Sequence, residues 1–283
     1  MLHSLLSLTT LSSSSPTSKT PTPNSLSPSP TPKPLYLKFR TSYRDNLRYL
    51  RALRILDPAT NNNKKPPSPD TVDHVLATVD FLKSKGFTDP DFTRLAFLCP
   101  HLFSSTFEPT DVAPVFDFLA ADLPASPEQS RGLILRCPRI LLSDVEFCLR
   151  PTLNYLRQLG VDNLSSPTNL NAHLLNTRTE RLREKIGFLR RIGFSHEEAA
   201  RACGRLPAIF GYSIDNNLWP KYIYLVKEMD RSVEELKGFP QYFGFSLEKR
   251  IAPRHLHLKE RNVRLPLNRM LLWGDQKFYA KWK

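Results

Sequence analysis

Arginine and lysine recur in this chain at spacings that a helix turns into lines of charge. Arg178, Arg181, Arg183, Lys185, Arg190 and Arg191 crowd one stretch. Arg201 and Arg205 are four apart and so share a helix face, and Lys249, Arg250 and Arg254 are grouped in a similar way. Lys259, Arg261, Arg264 and Arg269 follow. The chemistry open to such groups is charge-assisted hydrogen bonding to an anion, and a line of them suits a phosphate backbone. Any one of them alone reads first as a solvated helix face. The line as a whole points to nucleic acid, held by Arg178, Arg181, Arg183, Arg190, Arg191, Arg201, Arg205, Lys249, Arg250, Arg254, Arg264 and Arg269.

The distribution of charge supports this division of labour. The 283 residues carry a net charge of +13. Residues 70–149 hold six basic against twelve acidic residues, whereas residues 150–283 hold 24 against 13. The acidic part is a candidate surface for a basic protein partner, and the basic part for a polyanion.

Other chemistries find little purchase. The four cysteines, Cys99, Cys137, Cys148 and Cys203, form no Cys-x-x-Cys pair, so zinc has no ligand set. Cys99 and Cys137 directly precede prolines and read as small core residues. His255 and His257 read as a surface pair. No glycine-rich phosphate loop, dinucleotide fingerprint or His-Glu-x-x-His occurs, and the reading is of a non-enzyme without cofactor or metal. No apolar run is long enough to span a membrane.

The elements that must position the cations are repeats. One phrase recurs: a proline, large apolar residues, then serine. Its copies are Pro100-His101-Leu102-Phe103-Ser104, Pro138-Arg139-Ile140-Leu141-Leu142-Ser143, Pro207-Ala208-Ile209-Phe210-Gly211-Tyr212-Ser213 and Pro240-Gln241-Tyr242-Phe243-Gly244-Phe245-Ser246. The prolines lie 38, 69 and 33 residues apart, so a unit between the second and third copies lacks its proline. Thr88, Ser126 and Ser195 each stand 12 residues before a phrase proline and open a helix that the proline closes. Ser232-Val233-Glu234-Glu235 reads as a further capping box. Before each cap runs another amphipathic segment that ends at Gly86, Gly160 or Gly193. The fold expected is all-α: a superhelical solenoid of helix–helix–3₁₀ repeats of about 33–38 residues, spanning residues 70–283. Irregular packing or a bend is expected through residues 151–182, where the phrase is missing.

Residues 1–34 contain ten Ser, six Thr and seven Pro and no acid, the composition of a disordered organelle transit peptide. Scarce arginine favours the chloroplast over the mitochondrion. Residues 35–69 are a basic segment and linker, with a helix around Arg40–Arg54 before the breaker at Asn61–Pro67.

The phrase, especially Gly238–Leu247, together with Leu271-Leu272-Trp273-Gly274-Asp275-Gln276-Lys277-Phe278, resembles the mitochondrial transcription termination factor (mTERF) family. The resemblance spans residues 72–283. It implies three-helix repeats in a left-handed superhelix, binding of double-stranded nucleic acid along a basic concave path, and a role in organelle transcription termination, transcription regulation or intron splicing. The missing phrase in residues 151–179 and the acidic first repeats depart from that pattern.

Overall fold

The computed structural model describes residues 42–56 and 66–283; the Ser-rich leader and the centre of the breaker lie outside them. Helices account for all the regular structure among the described residues. The first, α1 (Tyr43–Ala52), is the helix expected in the basic segment. It lies on α2 and places Leu50 and Leu53 in the common core.

Six repeats follow, each a leading and a trailing helix. They are α2 (Pro69–Ser84) with α3 (Asp89–Leu98), α4 (Ala113–Ala121) with α5 (Pro127–Arg136), and α6 (Arg150–Gln158) with α7 (Asn169–Leu175). Then come α8 (Thr179–Arg191) with α9 (His196–Arg205), α10 (Trp219–Ile223) with α11 (Glu234–Gly238), and α12 (Ala252–Lys259) with α13 (Leu267–Leu272). A last helix, α14 (Asp275–Lys281), closes the stack. The fold is the all-α helical-repeat solenoid expected from the phrase.

The phrase does what its composition demands. Each proline starts a 3₁₀ turn, over Pro100–Phe103, Pro138–Leu142, Pro207–Gly211 and Pro240–Gly244. The residue before it leaves helical geometry, as a residue before proline must: Cys99, Cys137, Leu206 and Phe239 all have φ between −145° and −138°. The following apolar pair, such as Ile140–Leu141 or Tyr242–Phe243, is buried. Thr88, Ser126 and Ser195 cap α3, α5 and α9 as expected. Ser232 does not form its capping box. The helix starts one residue later, and the Glu235 carboxylate instead takes Arg231 at 2.5 Å.

Two regularities are visible only in three dimensions. The leading helices of repeats 3, 5 and 6 open with one wide turn, in which Leu149, Leu218 and Ile251 bond back five residues to Asp144, Ser213 and Ser246, each at 3.0 Å. Two residues after each of these three comes a proline: Pro151, Pro220 and Pro253. A proline inside a helix has no N–H and presses on the preceding turn; the wide turn accommodates it. Second, Asp144, Ser213 and Ser246 cap these wide turns, and the residue eight beyond each is buried and donates to the segment that closes its own repeat. Thr152 reaches Thr177 O at 2.7 Å, Lys221 reaches Phe243 O at 2.7 Å, and Arg254 reaches Met270 O at 2.6 Å.

Repeat 3 is irregular locally. It has no 3₁₀ turn after α7, and a long connection, 159–168, joins α6 to α7. Asn176 fills the missing turn: its amide nitrogen meets Cys137 Sγ at 3.6 Å and its oxygen accepts from Ser143.

Candidate nucleic-acid interface

The twelve candidate cations do not form one line. Arg178 is the N-cap residue of α8 and Arg181 lies in its first turn, whereas Arg190 and Arg191 end the same helix. At 1.5 Å per residue that separation is about 18 Å, so the two pairs occupy opposite edges of the repeat stack. At the C-terminal end, Arg190 and Arg191 suit the helix dipole. Arg183 lies over the Tyr155 ring, 5.3 Å from its centroid. Arg201 pairs with Glu197 at 3.8 Å on the exposed face of α9. Arg269 is exposed on α13, and Lys249 is exposed in the wide turn Leu247–Ile251.

Four of the twelve serve as clamps between segments of the stack. A helix C-terminus leaves carbonyls without intrahelical donors, and guanidinium groups supply them here. Arg205 donates to Gly238 O at 3.0 Å and Arg264 to Asp230 O at 2.9 Å. Arg250 donates to Leu271 O at 3.0 Å and also to Trp273 O, with its guanidinium 5.2 Å from the Phe245 centroid. Arg254 corrects the sequence expectation outright. It is 0% exposed, bonds to Met270 O at 2.6 Å and Trp273 O at 2.7 Å, pairs with Asp275 at 2.5 Å and stacks 4.5 Å from the Phe278 centroid. Both terminal nitrogens are taken up by these partners and only Nε is left without one, so the buried side chain holds α14 in place rather than meeting a ligand. That hydrogen bond from Arg254 keeps the Asp275 carboxyl below the ordinary aspartate range. Arg94, Arg157 and Arg231 make the same kind of bond, to Leu135 O, Asp122 O and Leu265 O, each at 2.6 Å.

What the structure does bring together lies along the edge where the leading helices begin. One groove of about 660 Å³ is lined by Arg178, Arg181, Glu184 and Lys185 of repeat 4 and by Phe210–Ser213 at the next repeat junction. Burial holds the Lys185 ammonium below its ordinary pKa. An adjoining groove of about 720 Å³ shares Asn176 and Arg178 and adds Arg139, Leu142, Phe147, Cys148 and Glu180. Arg139 and Phe147 fall outside the set predicted from sequence. Arg139 stands directly after a phrase proline, a position that sequence could have flagged. Phe147 is 88% exposed. A third groove, of about 460 Å³ between repeats 2 and 3, is acidic, with Asp111, Asp117, Asp122, Asp144 and Glu146 around Arg150. The groove edge therefore changes sign along the stack.

The remaining candidates resolve as packing. Cys99, Cys137 and Cys203 are buried thiols, with Cys203 pushed up to about 12 by burial. His255 and His257 are half-buried rather than a surface pair: His255 Nδ1 meets the Tyr224 hydroxyl at 3.0 Å and His257 meets the Trp282 carbonyl. Among the described residues no cluster of His, Cys, Asp and Glu could hold a metal ion, and no helix is long and apolar enough to cross a membrane.

Residues 126–279, from the cap of α5 through α14, match the mTERF family, and they make up more than half of the chain. The chain belongs to the mTERF family. Membership points to organelle nucleic-acid binding or transcription termination. Among characterised mTERF proteins, the chain is 27% identical over 211 residues to the chloroplastic transcription termination factor MTERF8 of Arabidopsis thaliana. That alignment covers 74% of this chain but 41% of MTERF8, so the chain spans less than half the length of this mTERF relative.

Proposed function

We propose that this chain is a plastid nucleic-acid-binding protein that regulates gene expression, by transcription termination or transcription regulation on double-stranded DNA. The observation that carries this reading is the pair of adjoining grooves in which Arg139, Arg178, Arg181 and Lys185 converge without an ion pair among the described residues. Cations left unpaired by the fold keep their charge available to a polyanion, and each phosphate they neutralise releases counterions. Gripping the backbone at several points would make the protein a physical block or an anchor on the duplex. The Ser-rich leader and the name of the chloroplastic relative support the plastid location.

An RNA-binding role in intron splicing uses the same grooves and differs only in the polymer. A separate observation, the acidic groove of repeats 2 and 3, which shares Ser143 and Asp144 with the groove beside Arg178, favours an additional basic protein partner next to the nucleic-acid site. The test is binding of the full chain to duplex DNA and to single-stranded RNA across a salt series. Converting Arg139, Arg178, Arg181 and Lys185 together to glutamine should lower low-salt affinity and flatten the slope of log K against log salt by about three to four. A wild-type response flat in salt, or no binding at low salt, overturns the reading; the stronger of the two polymers identifies the substrate.

A further inference from the structure

The start of each leading helix carries a register that the fold leaves unused. The residues that cap the opening turn of repeats 2 to 6 are Glu108, before a 3₁₀ turn (Pro109–Val112) that runs into α4, Asp144, Ser213 and Ser246, before the wide turns, and Arg178, before α8 itself. Three residues on from each stand Asp111, Phe147, Arg181, Asn216 and Lys249. All five are exposed, and none of the five side chains makes a hydrogen bond, ion pair or ring contact among the described residues. Their neighbours differ. Glu146, one residue earlier, is paired with Arg150, and Glu180 accepts from Thr179 at 3.1 Å. Arg250, one residue later, is bonded to Leu271 O.

The cavities give the register a direction. Asp111 lines a groove whose far wall is Asp144 and Glu146. Phe147 lines the next, against Arg178 and Glu180. Arg181 lines the third, against Tyr212 and Ser213. In these three cases the third residue of one opening turn faces the cap turn of the following repeat. We propose that this position is a one-per-repeat row of nucleic-acid contacts whose footprint runs from Phe147 to Lys249. The proposal rests on the nucleic-acid reading above and assigns the parts within it. Arg181 and Lys249 hold phosphates. The Asn216 amide can donate and accept at once, the pattern that reads a base edge. Phe147 offers an apolar face to a base or sugar. Asp111 repels phosphate and ends the footprint at the border of repeats 2 and 3.

The experiment measures the full chain and its single variants against a randomised pool of duplex DNA and of single-stranded RNA, over a salt series, with melting temperature as a fold control. Arg181→Gln and Lys249→Gln should each weaken binding across all sequences and reduce the salt slope by about one. Asn216→Ala should keep the slope and relax the preference for one base by about tenfold. Phe147→Ala should weaken binding with the slope unchanged. Asp111→Lys should raise both affinity and slope. If the wild type binds with a steep slope and these variants behave like it, while Arg190→Gln with Arg191→Gln weakens binding, the row is wrong and the broader function stands. If the wild type binds neither polymer, both fall.

Discussion

Arginine does two jobs in this chain, and the number of donors on a guanidinium explains why. Five N–H groups in a rigid fork can bridge carbonyls at a helix end while the stem packs on an aromatic ring, as in Arg250 and Arg254. Arg131 does the same for a carboxylate. It holds Asp91 of the preceding repeat through Nε at 2.8 Å and Nη2 at 3.0 Å, and reaches the Thr88 hydroxyl at 3.1 Å. Burial alone would raise the Asp91 carboxyl, but the bonds from Arg131 and Thr88 outweigh it and hold the group below its ordinary value of 3.8. A carboxyl whose pKa is lower in the folded state stabilises the fold above its unfolded pKa, and that stability is lost as pH falls through the folded value. The wild type should therefore lose melting temperature below about pH 4 more steeply than Asp91→Asn, as thermal unfolding from pH 6 to pH 2.5 would show; parallel curves would remove the Asp91–Arg131 link from the acid response.

At the scale of elements, repeats are joined by close approach as much as by side-chain bonds. Gly204 in α9 passes over the end of α6, where an added Cβ would lie 2.9 Å from Gly160 O and 3.0 Å from Leu159 O. Those are backbone atoms at a glycine turn (φ +74° at Gly160), so they have little room to give. Alanine favours a helix by up to ~1 kcal/mol over glycine, but forced overlap in a packed junction costs about 1–3 kcal/mol. Gly204→Ala should thus be net destabilising in urea unfolding. A stabilised variant would mean that α6 and α9 can slide apart freely. The wide turns before Pro151, Pro220 and Pro253 are the complementary device, making room where a proline would otherwise clash.

Across the whole molecule, the leading-helix edge passes from an acidic groove, through the exposed Phe147, to a basic groove. The carboxylates of the first groove would repel a phosphate backbone and the arginines and lysine of the last would attract it. Hydrogen exchange with and without bound duplex should then show protection at the starts of the leading helices of repeats 3 to 6 and little change in repeats 1 and 2. Protection centred on α2 and α4 would place the contact on the other half of the stack. The change of sign coincides with repeat 3, where Asn176 replaces the proline turn and links Cys137 and Ser143 of the preceding phrase to the grooves beside Arg178.

The sequence by itself determined the repeats, because their signals are local. A proline cannot stay inside an ordinary helix, serine caps fix where a helix starts, and Gly86, Gly160 and Gly193 sit at positive φ where a side chain would be strained. A second local signal was equally present in the chain: Pro151, Pro220 and Pro253 each follow a phrase proline by thirteen residues. The missing phrase of repeat 3 was also legible, and the structure there lacks the 3₁₀ turn and has a long connection, 159–168, between its helices. Only the tertiary structure decided which cations face outward. Helical spacing shows that Arg250 and Arg254 share a face, but not that the face is covered by α13 and the turn after it, whose Met270, Leu271 and Trp273 carbonyls take up the guanidinium groups, with Asp275 of α14 pairing with Arg254. Nor could spacing show that Arg190 lies an entire helix length from Arg178. Whether an arginine clamps the fold or waits for a ligand depends on which carbonyls distant segments bring within reach, and that is a property of the packing.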